Sequence, residues 1–263
     1  MPSKNTVKKT KKVAIPKQPH LFLATPMYGG MCHGAFTQGI ISLVQACDKA
    51  GVKLSISFMF NESLIQRARN ALVHNALKTD FTHFMFIDAD IRFQGHDVLT
   101  MMQVDKPLIA GIYPKKEINW SNVAMAAKAG MPDLHKYTGS FVVNLENYAS
   151  EITVPVNQPL KVLNAGTGFM LIKRHVFDDI RRKVKPPVYS NDVVDLTGNV
   201  KPGEQITAFF DCSIEEGTNR LLSEDYHFCQ LYRKAGGSVL VAPWVNLAHI
   251  GSYIFEGGFL PAD

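Results

Sequence analysis

The segment His83 to Phe93 reads HFMFIDADIRF, and within it Phe84, Met85, Phe86 and Ile87 form an unbroken apolar run. A strand with one wet face alternates between apolar and polar residues. A strand without alternation is buried on both faces, as in a parallel sheet covered by helices. The run stops abruptly at Asp88, Ala89 and Asp90, and no other Asp-x-Asp triplet occurs in the chain. In open α/β sheets, ligands sit outside the carboxyl ends of the strands. Two carboxylates placed there, one residue apart, do not both tolerate burial as bare charges. A hard divalent cation with oxygen ligands, itself bridging to a phosphate, satisfies them. The stretch alone therefore suggests a metal–diphosphate site, against the plainer reading of a solvated turn.

The rest of the chain fits a sheet of this kind. His20 to Pro26 reads as a first strand, closed by Met27-Tyr28-Gly29-Gly30. A helix over Ala35–Ala50 stops at Gly51, and Lys53–Phe60 is a second strand. Asn61 then reads as the cap of a helix running to about Lys78, on which positions 63, 67 and 70 share a face. The central strand is expected over His83–Ile91, a helix over Gly95–Val104, and a strand over Pro107–Tyr113. This alternation predicts an α/β fold, with a mostly parallel central sheet, helices on both faces, and a smaller hairpin-rich insertion at 115–160. Val162–Lys173 is apolar again around Gly166-Thr167-Gly168. A short helix is expected over His175–Lys183, a mobile polar loop over 184–205, and a strand over Ile206–Cys212. Ser223 is placed to cap a helix ending at Gly236-Gly237, followed by a strand over Val239–Pro243.

Length and charge bound the organisation. The chain has 263 residues, which suits one domain after a short tail: residues 1–19 as a disordered basic tail and 20–263 as a single domain. Six lysines and no acid fall in residues 1–20; without them 22 basic residues face 23 acidic ones, so the body is close to neutral. Such a tail can touch nucleic acid or an anionic surface, but a solvated leader explains it equally. No apolar run is long enough to span a bilayer and no signal peptide is visible, so the expectation is a cytoplasmic protein, in a host cell if viral. Cys32, Cys47, Cys212 and Cys229 are scattered, which reads as reduced thiols.

Three further places could carry chemistry. Ser223-Glu224-Asp225 opens a helix, where acids either complement the helix dipole or supply a general base for an acceptor hydroxyl. His249 follows the last core strand and could complete a carboxylate metal site. Arg67, Lys115 and Lys116 could make charge-assisted hydrogen bonds to a diphosphate. A phosphate-binding G-x-x-x-x-G-K loop, a dinucleotide fingerprint, a Gly-x-Ser-x-Gly elbow and zinc-ligand spacings are all missing.

Taken in order, TPMYGG, NESLIQRARN, THFMFIDADI, GIYPKK, NAGTGFMLIKR, LLSEDYHFC and HIGSY resemble a GT-A fold glycosyltransferase with a DXD motif. The similarity is to the short enzymes of phages, large viruses and bacteria, and more loosely to the Anp1-type mannosyltransferases. These pieces span Thr25 to Tyr253. The resemblance implies that Thr25, Pro26, Tyr28, Arg67, Asp88, Ala89 and Lys115 bind a nucleotide-sugar donor, a UDP- or GDP-sugar. It implies that Gly166, Thr167 and Gly168 line the sugar. Asp88, Asp90 and His249 would hold Mn2+ or Mg2+. Asp225, beside Glu224, would be the base of an inverting transfer to an acceptor glycan or other hydroxyl compound. The tail and the 115–160 and 184–205 segments have no counterpart in that resemblance.

Two rival readings stand beside this one. The stretch FIDADIR also resembles the motif of haloacid-dehalogenase-type phosphohydrolases, with Asp88 as nucleophile, although Arg92 stands where Thr or Val is expected. A non-catalytic module binding nucleotide sugars is the other.

Overall fold

The computed structural model describes residues 18–141, 143–145, 156–192 and 200–253. The basic tail expected at 1–19 therefore lies almost wholly outside the described residues. Along the chain, β1 (His20–Met27), α1 (Gly34–Ala50), β2 (Lys53–Phe60), α2 (Ile65–Leu77) and β3 (His83–Ile87) alternate. The two-residue β4 (Ile91–Arg92), α3 (Gly95–Gln103) and β5 (Leu108–Gly111) follow. Next come α4 (Trp120–Lys128), β6 (Val143–Leu145), β7 (Leu160–Ala165), β8 (Phe169–Lys173) and α5 (Arg174–Lys183). The last third holds β9 (Val188–Ser190), β10 (Gln205–Thr207), β11 (Ser213–Ile214), β12 (Leu221–Leu222), α6 (Glu224–Lys234), β13 (Val239–Ala242) and β14 (Ala248–His249).

Eight strands form one sheet in the order β2-β1-β3-β8-β5-β13-β7-β6. β8 runs against β3 and β5, and β7 runs against β13 and β6. The remaining pairings are parallel, so six of the eight strands share one direction. β3 lies inside the sheet, between β1 and β8, as its unbroken apolar run requires. Phe84 and Phe86 pack into one layer with residues of α2, α5 and α6, while Met85 and Ile87 pack into the other with α1 and α3. The fold is thus a mixed α/β sandwich with a mostly parallel sheet between helices. Small antiparallel pairs, β9 with β10, β11 with β12 and β4 with β14, sit around it.

Several boundaries differ from expectation, each for a visible reason. The central strand ends at Ile87, not Ile91, because the chain turns: the Asp88 N–H goes to the Gly168 carbonyl at 2.9 Å and the Ile91 N–H to the Asp88 carbonyl at 3.1 Å. Asn61 does not cap α2; it takes a φ of +58°, and the helix starts at Ile65. The Glu62 carboxylate takes the Leu64 N–H at 2.9 Å. The strand expected over Ile206–Cys212 pairs only over Gln205–Thr207, since the Asn70 side-chain amide takes both the N–H and the carbonyl of Phe210. The segment 184–205 is not a bare loop either, because β9 within it pairs with β10. Among the described residues, 115–160 carries the helix α4 as well as strand.

Candidate active site

The antiparallel register of β3 with β8 builds the centre of the site. Ile87 faces Phe169, which brings Asp88 beside Gly168. β5 delivers Tyr113 to the same place, where the Gly168 N–H donates to its hydroxyl at 3.1 Å. Only glycine fits at 168: a Cβ there would lie 2.8 Å from the Tyr113 ring and 3.1 Å from Asp88 Oδ2. Burial and the nearby Asp88 carboxylate push the Tyr113 phenol well above its ordinary pKa, so it stays protonated.

A buried guanidinium ties the two acidic motifs together. Arg69, 3% exposed, donates from Nη2 to both oxygens of Asp88 at 3.1 and 3.2 Å, and from Nε to Glu224 Oε1 at 3.2 Å. It also lies over the Phe86 ring, 5.0 Å from the centroid. Burial works against its charge, but the two carboxylates hold its pKa above the ordinary value. Residues 88 and 224, far apart in sequence, thus share one cation.

Asp225 opens α6 next to Glu224. Its Oδ1 accepts from the Ser223 hydroxyl and from the Tyr226 N–H, the latter at 2.8 Å. Burial raises its pKa; the Ser223 hydrogen bond opposes this and the Glu224 charge adds to it. The net effect is a carboxylate more basic than an ordinary aspartate, which suits a proton acceptor.

Asp90 lies on the other side of the triplet. Burial pushes its pKa up, but the His249 ring close to Oδ1, the Lys116 hydrogen bond and the Lys116 charge outweigh that and hold it at about 2. Lys116 Nζ donates to Oδ2 at 2.5 Å. Oδ1 is buried with no geometrically sound hydrogen bond, and His249 Nε2 stands 3.5 Å from it. His249 Nδ1 faces the Pro114 carbonyl at 3.0 Å, so that nitrogen carries the donated proton. In the neutral ring Nε2 then presents a lone pair to the lone pairs of Oδ1. A cation between them, or a second proton on the ring, resolves that opposition.

A cleft of about 510 Å³ opens beside the triplet. Pro26, Met27, Tyr28, Glu62, Asp88, Ala89 and Asp90 are among its walls. Tyr28 is 76% exposed there, a bare aromatic face at the end of β1. A second, more polar cleft of about 230 Å³ includes Lys115, Lys116, Glu117 and His249. Asp90 lines the first cleft while both of its partners, Lys116 and His249, line the second. The two clefts therefore meet at Asp90.

Of the residues expected from sequence, Pro26, Tyr28, Asp88, Ala89 and Asp90 share the first cleft. Thr25 is fully buried within β1 and is not on its wall. Lys115 is exposed on the second cleft. Gly168 touches Asp88 through its backbone, and Thr167 beside it is buried. Arg67 turns away from the triplet: it donates to Glu62 at 2.6 and 2.8 Å and lies 3.6 Å from Asp192. Arg69, Tyr113 and the cleft-wall residues Met31, Cys32 and His33 were not singled out in the sequence. Arg69 had a signal: it stands three, four and seven residues before Leu72, Val73 and Ala76, on the buried stripe of α2. A basic residue on a buried stripe demands a buried acid.

The sequence matches no protein-family model and no curated protein sequence. Solved structures with a similar fold include A197 from STIV, with a TM-score of 0.45 and 13% identity over 89% of this chain and 87% of that one. GalNAc-T7, crystallised with UDP, GalNAc and Mn2+, has a TM-score of 0.46 and 10% identity over 90% of this chain. The matched part is 45% of the GalNAc-T7 chain, so this chain spans less than half its length. A glycosyltransferase involved in glycosylation of the major capsid of PBCV-1 is similar at a TM-score of 0.29 and 7% identity, over 61% of this chain and 63% of that one.

Proposed function

We propose that this protein transfers a sugar from a nucleotide-sugar donor to an acceptor hydroxyl, with inversion at the anomeric carbon. The supporting observation is the Arg69 bridge, which places the acidic triplet after β3 and the acidic start of α6 around one cation. In this reading the nucleoside lies in the larger cleft, against Pro26 and Tyr28, with its diphosphate over Asp90. Asp225 takes the proton of the acceptor hydroxyl as that oxygen attacks the anomeric carbon. Arg69 holds Asp88 and Glu224 in place and keeps their charges from repelling the donor.

The donor set fits a divalent cation in part. Among the described residues no three His, Cys, Asp or Glu side chains form a metal-holding group. Asp90 Oδ1 and His249 Nε2 nonetheless present two ligand atoms to one point, one of them an orphaned buried oxygen. Mn2+ and Mg2+ at such sites take one or two protein ligands and fill the remainder from substrate phosphates and water. Bound there, the ion would spread the charge that develops on the departing nucleoside diphosphate. Asp88, expected among the ligands, accepts from Arg69 Nη2 with both oxygens on one edge and keeps its outer lone pairs toward the cleft it lines.

The test is release of free nucleoside diphosphate from a panel of UDP- and GDP-sugars, with Mn2+ and with a chelator. Release from one donor class is expected, and Asp225→Asn should reduce it by about 100-fold or more while donor affinity stays within about twofold. Steady hydrolysis of a generic phosphomonoester, with every nucleotide sugar left intact, would sink the transferase reading.

A further inference from the structure

Lys116 closes one oxygen of Asp90, and how it does so carries a consequence. Its stem lies across Gly251, where a Cβ would approach its Cδ to 2.8 Å, so the residue at 251 has to be small for this pose. The ammonium sits on Oδ2, while the opposite oxygen, Oδ1, is the buried atom facing His249. The lysine side chain is 42% exposed and opens onto the smaller polar cleft. An ion pair this accessible is weak and exchanges easily. Any divalent cation drawn to Asp90 meets the lysine's positive charge at close range, which opposes it. A diphosphate entering over Asp90 offers that ammonium richer acceptors than a single carboxylate does.

We propose that Lys116 is a diphosphate-binding residue parked on Asp90, and that donor binding draws its ammonium onto the phosphate oxygens and so releases Asp90 to the divalent cation. This rests on the transferase reading above and deepens it. Metal and diphosphate then help each other bind, because each removes an obstacle to the other. Before the diphosphate arrives, Asp90 is neutralised from within and holds metal weakly.

Full-length protein can be titrated with Mn2+ alone, following the free-ion paramagnetic resonance signal, and separately with inorganic pyrophosphate by calorimetry. Lys116→Met should bind Mn2+ about fivefold tighter than the unmodified protein and pyrophosphate about fivefold more weakly. Lys128→Met removes an equal charge from α4 and should shift neither. In an Asp90→Asn background the Mn2+ gain from Lys116→Met should vanish. Equal Mn2+ affinity with and without Lys116, or a gain that persists in the Asp90→Asn background, overturns the handover while leaving the transferase reading intact. If Asp90→Asn alone leaves Mn2+ binding unchanged, the metal part of that reading falls and the handover falls with it.

Discussion

Asp225 and Arg69 are the residues whose chemistry can be isolated most directly. Asp225 must be ionised to accept a proton, and burial together with Glu224 raises its pKa above the ordinary aspartate value. The rate should therefore climb with pH through an acid limb lying above about 3.9. A pH profile of kcat/KM reads that limb in the free enzyme, and Asp225→Asn should flatten it. A limb at the ordinary carboxylate value would assign the base elsewhere. Arg69 is a different case, since it is 3% exposed and serves two carboxylates at once. Arg69→Met leaves Asp88 and Glu224 facing each other without a cation. That should cost about 3 kcal/mol of stability in urea unfolding. Arg69→Lys keeps the charge but not the planar fork, so it should recover stability only partly. The acids of the site were legible in the sequence because each stands at a boundary: Asp88 and Asp90 where an apolar strand ends, Glu224 and Asp225 where a helix begins. Arg69 was harder to read than Arg67, because the same motif offers both arginines and only the buried stripe of α2 separates them.

At the scale of elements, the triplet is tied to the start of α1, and α1 in turn is fixed against α3. The His33 N–H at the start of α1 donates to the Ala89 carbonyl at 2.9 Å. The Gly95 N–H at the start of α3 donates to Ser42 Oγ on α1 at 3.1 Å. The two helices touch closely enough at Gly95 that a Cβ there would lie 2.3 Å from the Leu43 backbone nitrogen. Backbone cannot swing aside as a side chain can. Gly95→Ala should therefore cost about 2–3 kcal/mol in urea unfolding, and it should expose the 88–94 turn to limited proteolysis. A neutral Gly95→Ala would mean that the α1–α3 contact has slack and does not fix the triplet. The helices were readable from periodicity and the central strand from its apolar run. The order of the strands was not, because nothing local in the sequence says that β8 enters between β3 and β5 against their direction. The misplaced start of α2 has a local origin instead: the Glu62 carboxylate, through Leu64 and Arg67, displaces the cap that Asn61 advertises. Short-range rules see the cap residue but not the competing side chain.

On the scale of the whole molecule, the sheet gathers its chemistry at one mouth and divides it. The larger cleft is bounded by the exposed ring of Tyr28 and the triplet, the smaller one by lysines and His249, and Asp90 with its partners is the hinge between them. In the transferase reading proposed above, a nucleotide sugar spans both, with its nucleoside against Tyr28 and its diphosphate at Asp90. If so, nucleotide and metal should stabilise the fold jointly by mass action. At about 100 times its dissociation constant, a ligand adds roughly 2.7 kcal/mol, or about 5–10 °C in Tm for a domain of this size. UDP or GDP with Mn2+ should raise the melting temperature by that order, and a chelator should remove most of the gain. Asp90→Ala should abolish the Mn2+-dependent part and leave a smaller, chelator-insensitive shift from the nucleoside against Tyr28. Tyr28→Ala should do the reverse, weakening the nucleoside part while Mn2+ alone binds as before. Losses that did not separate in this way would place nucleoside and metal in one undivided pocket, in conflict with two clefts meeting at a shared carboxylate.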